Sequence, residues 1–265
     1  MTDSSLLIET DARGVARVIL NRPAVHNAFD ESLIAGLDAA FAKLDCDSAV
    51  RVIVFASMGK HFCAGADIGW MQRAAANTAE ANLADARQFA SMMSRLGSCS
   101  KPVLARVPGA AYGGGFGLVC AADIVIAGAS ARFAVSEARF GILPAVIGPY
   151  VINAVGQRQA RRLALNGLPI DAREAFAMGL VHEVVDDSAL DIAVERHVTA
   201  LLANGPGAQA EIKQLFRQIA PGEVTPQVLE LTAATISRVR GTAEAREGFS
   251  AFLQKRPPAW GPDPA

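Results

Sequence analysis

Two small-residue loops and one carboxylate hold the residue types in this sequence that could do chemistry. Gly113-Gly114-Gly115 follows the apolar run 102–107 and opens directly into a helix-compatible run ending at Asp123. Glycine costs about 1 kcal/mol relative to alanine inside a regular element, so three in succession mark a place that needs bare backbone. That bareness either lets a helix pack closely on a strand or lets a ligand reach peptide N–H groups. The leading N–H groups of a helix have no internal partner and lie at the positive end of its dipole, which suits an anion or a developing oxyanion. Ala64-Gly65-Ala66 repeats the pattern after a second buried run, 51–56, and before another helix. Two such loops can present N–H donors to one oxygen atom, and losing one donor of this kind typically costs ~3 kcal/mol of transition-state stabilisation.

The carboxylate is Glu137, just past the short apolar run 132–135. Buried there beside an oxyanion site, such a group has a raised pKa and can carry protons. Its bland alternative is a surface ion pair with Arg132 or Arg139. The other reactive residue types read as structural. Cys63 adjoins the second loop as a small buried side chain. His26 has no partner visible in the sequence, and His182 alternates with Val181 and Val184 as a sheet-edge residue. Cys46, Cys63, Cys99 and Cys120 form no CxxC pair and no zinc-like spacing with histidine, so no metal is expected.

The elements that must position these groups are readable from pattern. Residues 6–10 and 15–20 read as a hairpin through Asp11-Ala12-Arg13-Gly14. Asp30 is the expected N-cap of a helix reaching Leu44, and an Ala-rich helix covers about 78–97. Strands follow at 102–107, 123–127 and 132–135; Asp171 caps a helix to Met178, and 180–185 returns to β. From Ser188 onward come amphipathic helices, broken at Gly205-Pro206-Gly207 and Pro221-Gly222.

With 265 residues, 51% of them hydrophobic, the chain suits one large α/β core with a helical appendage, divided as 1–200 and 201–265. A formal net charge of −1 gives no basic surface for nucleic acid. Residues 1–5 lack a secretory leader and no apolar run approaches the ~20 residues of a membrane span, so a cytoplasmic protein without a membrane partner is expected.

Taken together, the ordered motifs resemble the crotonase (enoyl-CoA hydratase/isomerase) superfamily over almost the whole chain. They begin with Asn21-Arg22-Pro23, Asn27-Ala28 and Gly59-Lys60 through Phe62-Cys63-Ala64-Gly65-Ala66-Asp67. The glycine turn leading to Cys120-Ala121-Ala122-Asp123-Ile124, then Phe133, Glu137, Gly141 and Pro144, continue the series. Ala172, Ala175, Gly179-Leu180-Val181 and the tail Phe252-Leu253-Gln254-Lys255-Arg256 complete it.

The resemblance implies an α/β spiral of repeated ββα units with a C-terminal helical trimerisation region, the trimers usually pairing into hexamers. It implies an acyl-CoA thioester substrate and no separate cofactor, CoA being part of the substrate. The N–H groups of Ala66 and Gly114 become the oxyanion hole. Substrate and CoA are expected along Arg22, Ala24, Ala64, Asp67, Ile68, Trp70 and Tyr112. Phe252 is expected near the adenine, and Lys255 near the nucleotide phosphate, of a neighbouring subunit's CoA. Trp70 reads equally well as core, and Asp67, like Asp123, as a cap or anchor.

Glu137 matches the second of two catalytic glutamates in the family's hydratases, whereas the first is replaced by Gly117. A lone glutamate is also the pattern of Δ3,Δ2-enoyl-CoA isomerases. Asp67-Ile68-Gly69-Trp70-Met71, Gly115-Phe116-Gly117-Leu118 and 141–150 are most similar to bacterial methylglutaconyl-CoA hydratases, so hydration of a branched or dicarboxylic enoyl-CoA is the expectation. Isomerisation, or acyl-CoA binding without turnover, is the alternative. A terminal carboxylate calls for a cation, with Arg73 and Arg139 as candidates.

Overall fold

The computed structural model describes residues 4–261, so part of the stretch 1–5, read as lacking a leader, lies outside the described residues. The chain runs β1 (Leu6–Thr10), β2 (Val15–Leu20), α1 (Glu31–Cys46), β3 (Val52–Ser57), α2 (Ile68–Ala76) and α3 (Ala79–Ser98). It continues through β4 (Val103–Val107), β5 (Ala111–Tyr112), α4 (Gly114–Ala121), β6 (Ile124–Gly128), β7 (Arg132–Ala134) and α5 (Gly148–Asn166). Then come β8 (Ile170–Asp171), α6 (Ala172–Ala177) and β9 (Glu183–Val185). Four helices close the chain: α7 (Leu190–Leu202), α8 (Pro206–Gln218), α9 (Pro226–Arg240) and α10 (Ala243–Leu253).

The large sheet has the order β1-β2-β3-β4-β6-β9, antiparallel between β1 and β2 and parallel elsewhere. β5, β7 and β8 form a small second sheet, which Cys63 extends by bridging to Ala111. The chain crosses from large to small sheet at β4–β5 and again at β6–β7, and each crossing precedes a helix. This is the ββα spiral, and it brings the 64–66 loop, the glycine turn and the start of the 137–140 turn to one cavity.

Alternation explains why β3 is buried at all six positions. Ile53 and Phe55 face one core with Leu33, Phe41, Met92 and Phe116, while Val52 and Val54 face a second core with Val194 and Val198 of α7. Asp30 caps α1 as expected, accepting from the Leu33 N–H at 3.0 Å. Asp123 is an anchor: it accepts from the Val103 N–H at 2.7 Å and pairs with Lys213, which ties α8 to the sheet. His182 is structural too, its Nδ1 accepting from the Val125 N–H at 3.0 Å.

The strand expected over 180–185 is shorter than the pattern suggests. Leu180 and Val181 are buried, but their N–H groups turn back to the Ala175 carbonyl at 3.0 and 3.3 Å and finish α6 instead of joining the sheet. The sequence reading also missed β5, a two-residue strand inserted between β4 and the glycine turn.

Asn27 sets the first turn of the site. It is fully buried in a left-handed conformation (φ 57°), donates from Nδ2 to the carbonyls of Met58 and His61 at 2.8 and 2.9 Å, and accepts from the Arg22 N–H at 2.8 Å. One side chain thus ties the 22–29 loop to the loop after β3. Asn27→Ala leaves three part-buried backbone groups without this partner, so it is expected to lower the unfolding free energy by ~3 kcal/mol. Urea denaturation checks this; a loss under ~1 kcal/mol would show that the ties are dispensable.

Candidate active site

The loop after β3 is held so that one peptide N–H has no partner. Phe29 bridges to Ala66: its N–H donates to the Gly65 carbonyl and its carbonyl accepts from Asp67, both at 2.9 Å. The Ala66 N–H between them has no acceptor among the described residues. Gly65 must be glycine, since its φ is +94° and a Cβ would lie 2.9 Å from the Tyr112 carbonyl oxygen. Asp67 then caps α2, accepting from Gly69 and Trp70 at 2.8 and 3.2 Å.

The glycine turn serves both of the purposes that its sequence left open. A Cβ on Gly114 would overlap the Phe29 ring, and one on Gly115 would sit 2.8 Å from Cys63 Cβ, so close packing requires both glycines. The N–H of Gly113 donates to Ala134 at 2.8 Å, whereas that of Gly114, the first residue of α4, has no acceptor among the described residues. Packing and an open donor come from the same residues.

Glu137 begins a 3-10 turn directly after β7. Its Oε1 lies 3.3 Å from where a Gly113 Cβ would be, and its buried Oε2 has no hydrogen-bond partner. Neither Arg132 nor Arg139 pairs with it: Arg132 donates to the Ser130 and Ala131 carbonyls, and Arg139 lies against Gly167. Burial pushes the Glu137 carboxyl up from its ordinary range, and nearby backbone N–H groups only partly offset that. Cys63, packed against Gly115, is inert by the same physics, its thiol pushed up to about 12 by complete burial.

Two lobes of empty space meet at this point. An outer lobe of about 600 Å³ is lined by His26, Ala64, Asp67, Tyr112, Ser136 and Arg139 among others. An inner lobe of about 910 Å³ runs between α2, α3 and the 140–147 segment, past Phe29, Trp70 and Phe89. Ala66, Ile68, Gly114 and Glu137 line both, so the two free N–H groups and the carboxylate stand at the junction.

Of the residues expected at the site, Ala64, Ala66, Asp67, Ile68, Trp70, Tyr112, Gly114 and Glu137 are brought together. Arg22 is engaged elsewhere, paired with Asp30 and Asp67 at 3.1 Å and donating to the Ala28 carbonyl at 2.6 Å. Ala24 is exposed in the turn Pro23–Val25, whose next residues Val25 and His26 do line the outer lobe. Phe252 is 81% exposed at the end of α10, and neither it nor Lys255 lines a lobe of its own chain. Pattern reading missed His26 and Ser136 in the outer lobe. His26 stacks edge-on against His61, with ring centroids 4.9 Å apart, a contact invisible without the fold.

Among the described residues no group of acidic, histidine and cysteine side chains could hold a metal ion, and no helix is long and apolar enough to cross a membrane. The family profile described as enoyl-CoA hydratase/isomerase matches residues 10–263. The chain is 34% identical to the 2,3-dehydroadipyl-CoA hydratase of Escherichia coli K12, over 96% of this chain and 98% of that protein. It is 32% identical to the 1,2-epoxyphenylacetyl-CoA isomerase of the same organism, over 93% and 94%. The crystal structure of an enoyl-CoA hydratase from Shewanella pealeana superposes with a TM-score of 0.93 at 39% identity, over 97% of this chain and 96% of that one. On these grounds the chain belongs to the enoyl-CoA hydratase/isomerase family of the crotonase superfamily.

Proposed function

We propose that this protein adds water across the 2,3 double bond of an enoyl-CoA thioester, with Glu137 as its one acid-base group. The reading is carried by a buried carboxylate whose Oε2 has no partner, at the junction of two lobes and beside two unpaired N–H groups. The thioester oxygen takes the N–H groups of Ala66 and Gly114, which polarise the enoyl system and hold the enolate charge. Glu137 removes a proton from water as its oxygen bonds to C-3, and the carboxylic acid so formed returns that proton to C-2. One carboxyl group thus performs both transfers.

The place of the missing carboxylate is filled. A Cβ on Gly117 would overlap Ile147 and approach its Cβ to 2.7 Å, so the glycine and the bulky 141–150 segment are complementary. That single-carboxylate site also favours a second reading, Δ3,Δ2-enoyl-CoA isomerisation, in which Glu137 takes a proton from C-2 and returns it to C-4. Binding without turnover is the third outcome.

For the acyl group, a short branched dicarboxylic chain such as 3-methylglutaconyl finds one available cation. Arg73 is occupied by Glu31 at 2.8 Å, whereas Arg139 lines the outer lobe and forms no ion pair among the described residues. The hydratase relative named for dehydroadipyl-CoA is consistent with that class. Phe216, Leu229, Ile236 and Leu253 expose apolar surface on α8 to α10. We assign that surface to the contacts of a homotrimer, paired as a hexamer, with 201–265 as the assembling region. In that assembly Phe252 and Lys255 would reach a neighbour's CoA, and the outer lobe would take this chain's own.

Glu137→Gln is expected to cut hydration of 3-methylglutaconyl-CoA or crotonyl-CoA by about 10²–10⁴-fold while leaving thioester affinity nearly intact. Loss of enoyl-thioester absorbance reads this, and near-wild-type turnover in the variant removes Glu137 from the mechanism. Faster conversion of a 3-enoyl thioester than hydration of its 2-enoyl isomer would establish the isomerase reading instead.

The pH profile has a definite sign. Below its raised pKa Glu137 holds a proton and cannot accept one from water, so kcat/KM should rise with pH through a midpoint above the ordinary 4.5. The fold favours the protonated form, so this group's contribution to stability falls as pH rises through that midpoint. Glu137→Gln, always neutral, should therefore match or exceed the wild type in thermal stability at neutral pH; a clear drop in melting temperature would contradict the burial argument.

Gly117→Glu, which supplies the second carboxylate, is expected to destabilise by ~1–3 kcal/mol through overpacking. Adding Ile147→Ala should recover most of that loss in a denaturant titration. Full stability in the single variant would mean that Ile147 does not fill the position.

A further inference from the structure

We infer that Asp85 is a charge filter at the far end of the inner lobe, admitting acyl chains with neutral tails and rejecting those that end in a carboxylate. This rests on the acyl-thioester reading of the site and deepens it. Asn82, Asp85, Ala86 and Phe89 all line the inner lobe, at spacings of three, four and seven residues that place them on one face of α3. Phe89 marks the end near the chemistry, since its ring lies 5.2 Å from that of Phe29 and 3.3 Å from a Cβ position on Gly114. Asp85 stands one helical turn further on, ~6 Å along the axis, beyond the reach of a short acyl group.

Charge in the lobe is one-sided. Its wall is apolar apart from Gln72, Asn82 and the Trp70 indole N–H, and its two ionisable groups are Glu137 at the junction and Asp85 at the far end. No lysine or arginine lines it. Asp85 is half-buried and forms no ion pair among the described residues. Arg73 faces Glu31, Arg95 faces Asp38 at 3.0 Å, and Arg139 opens on the outer lobe alone. A tail carboxylate extended along this lobe would find no cation and would meet a like charge. A short dicarboxylic chain escapes that conflict by turning its carboxylate towards Arg139, so the filter acts on extended chains.

The test compares octanoyl-CoA with suberyl-CoA, its counterpart with a terminal carboxylate, by calorimetric titration of wild type, Asp85→Asn and Asp85→Lys. Both thioesters are saturated, so neither depends on turnover. In the wild type, suberyl-CoA is expected to bind at least tenfold more weakly; the ratio should narrow towards unity in Asp85→Asn and narrow further or invert in Asp85→Lys. Equal affinities in the wild type, a ratio unmoved by both substitutions, or failure of octanoyl-CoA to bind at all would each overturn the filter. Hydration of 2-octenoyl-CoA is measured in parallel. Discrimination without hydration would sink the hydratase reading and leave the filter standing; hydration without discrimination would do the reverse.

Discussion

The contact between the Phe29 ring and Gly114, with Cys63 packed under Gly115, is the constraint on which the site depends. It locks the loop after β3 against the turn before α4 with no room for a methyl group at either glycine. Because Phe29 also bridges to Ala66 through its own backbone, one residue registers both loops at once. The two unpaired N–H groups are held by core packing and strand-like bonds. That rigidity matters because an oxyanion donor stabilises developing charge only when it is already aimed.

Around that contact several polar side chains are fully engaged. Asn27 meets three backbone groups, Asp67 caps a helix and holds Arg22, and Asp123 pins a strand and a C-terminal helix. Among the described residues five buried side-chain polar atoms lack a partner, and the Oε2 of Glu137 is the one that belongs to a carboxylate. A buried carboxylate with an unpartnered oxygen is costly to a fold, and its survival at the meeting point of two lobes fits a group kept for proton transfer. The complementary fit of Gly117 and Ile147 shows how a site with one carboxylate stays well packed, the apolar side chain closing the space that a second would need.

The spiral explains how distant segments come together without long excursions. Each passage between the sheets returns the chain to the same side, so Ala66, Gly114 and Glu137 lie at equivalent points of successive turns. Loops at strand ends can then vary in chemistry while the parallel sheet behind them stays constant.

Much of this was written in the sequence by itself. Glycine at 65, 114 and 115, the cap Asp30, the alternating apolar runs and the hairpin were legible because each follows from local backbone or burial physics. Glu137 was legible as a candidate by its position just past a buried strand. The Ala66 and Gly114 donors were marked by their small-residue loops, and the ordered motifs carried the family resemblance. The tertiary structure alone decided which groups are free. It showed Arg22 held by Asp30 and Asp67, Arg73 held by Glu31, His26 stacked at the outer lobe, and Asp85 turned towards an apolar one. Ion pairs and cavity walls join residues tens of positions apart, and their geometry depends on how whole elements pack. No local pattern encodes that packing.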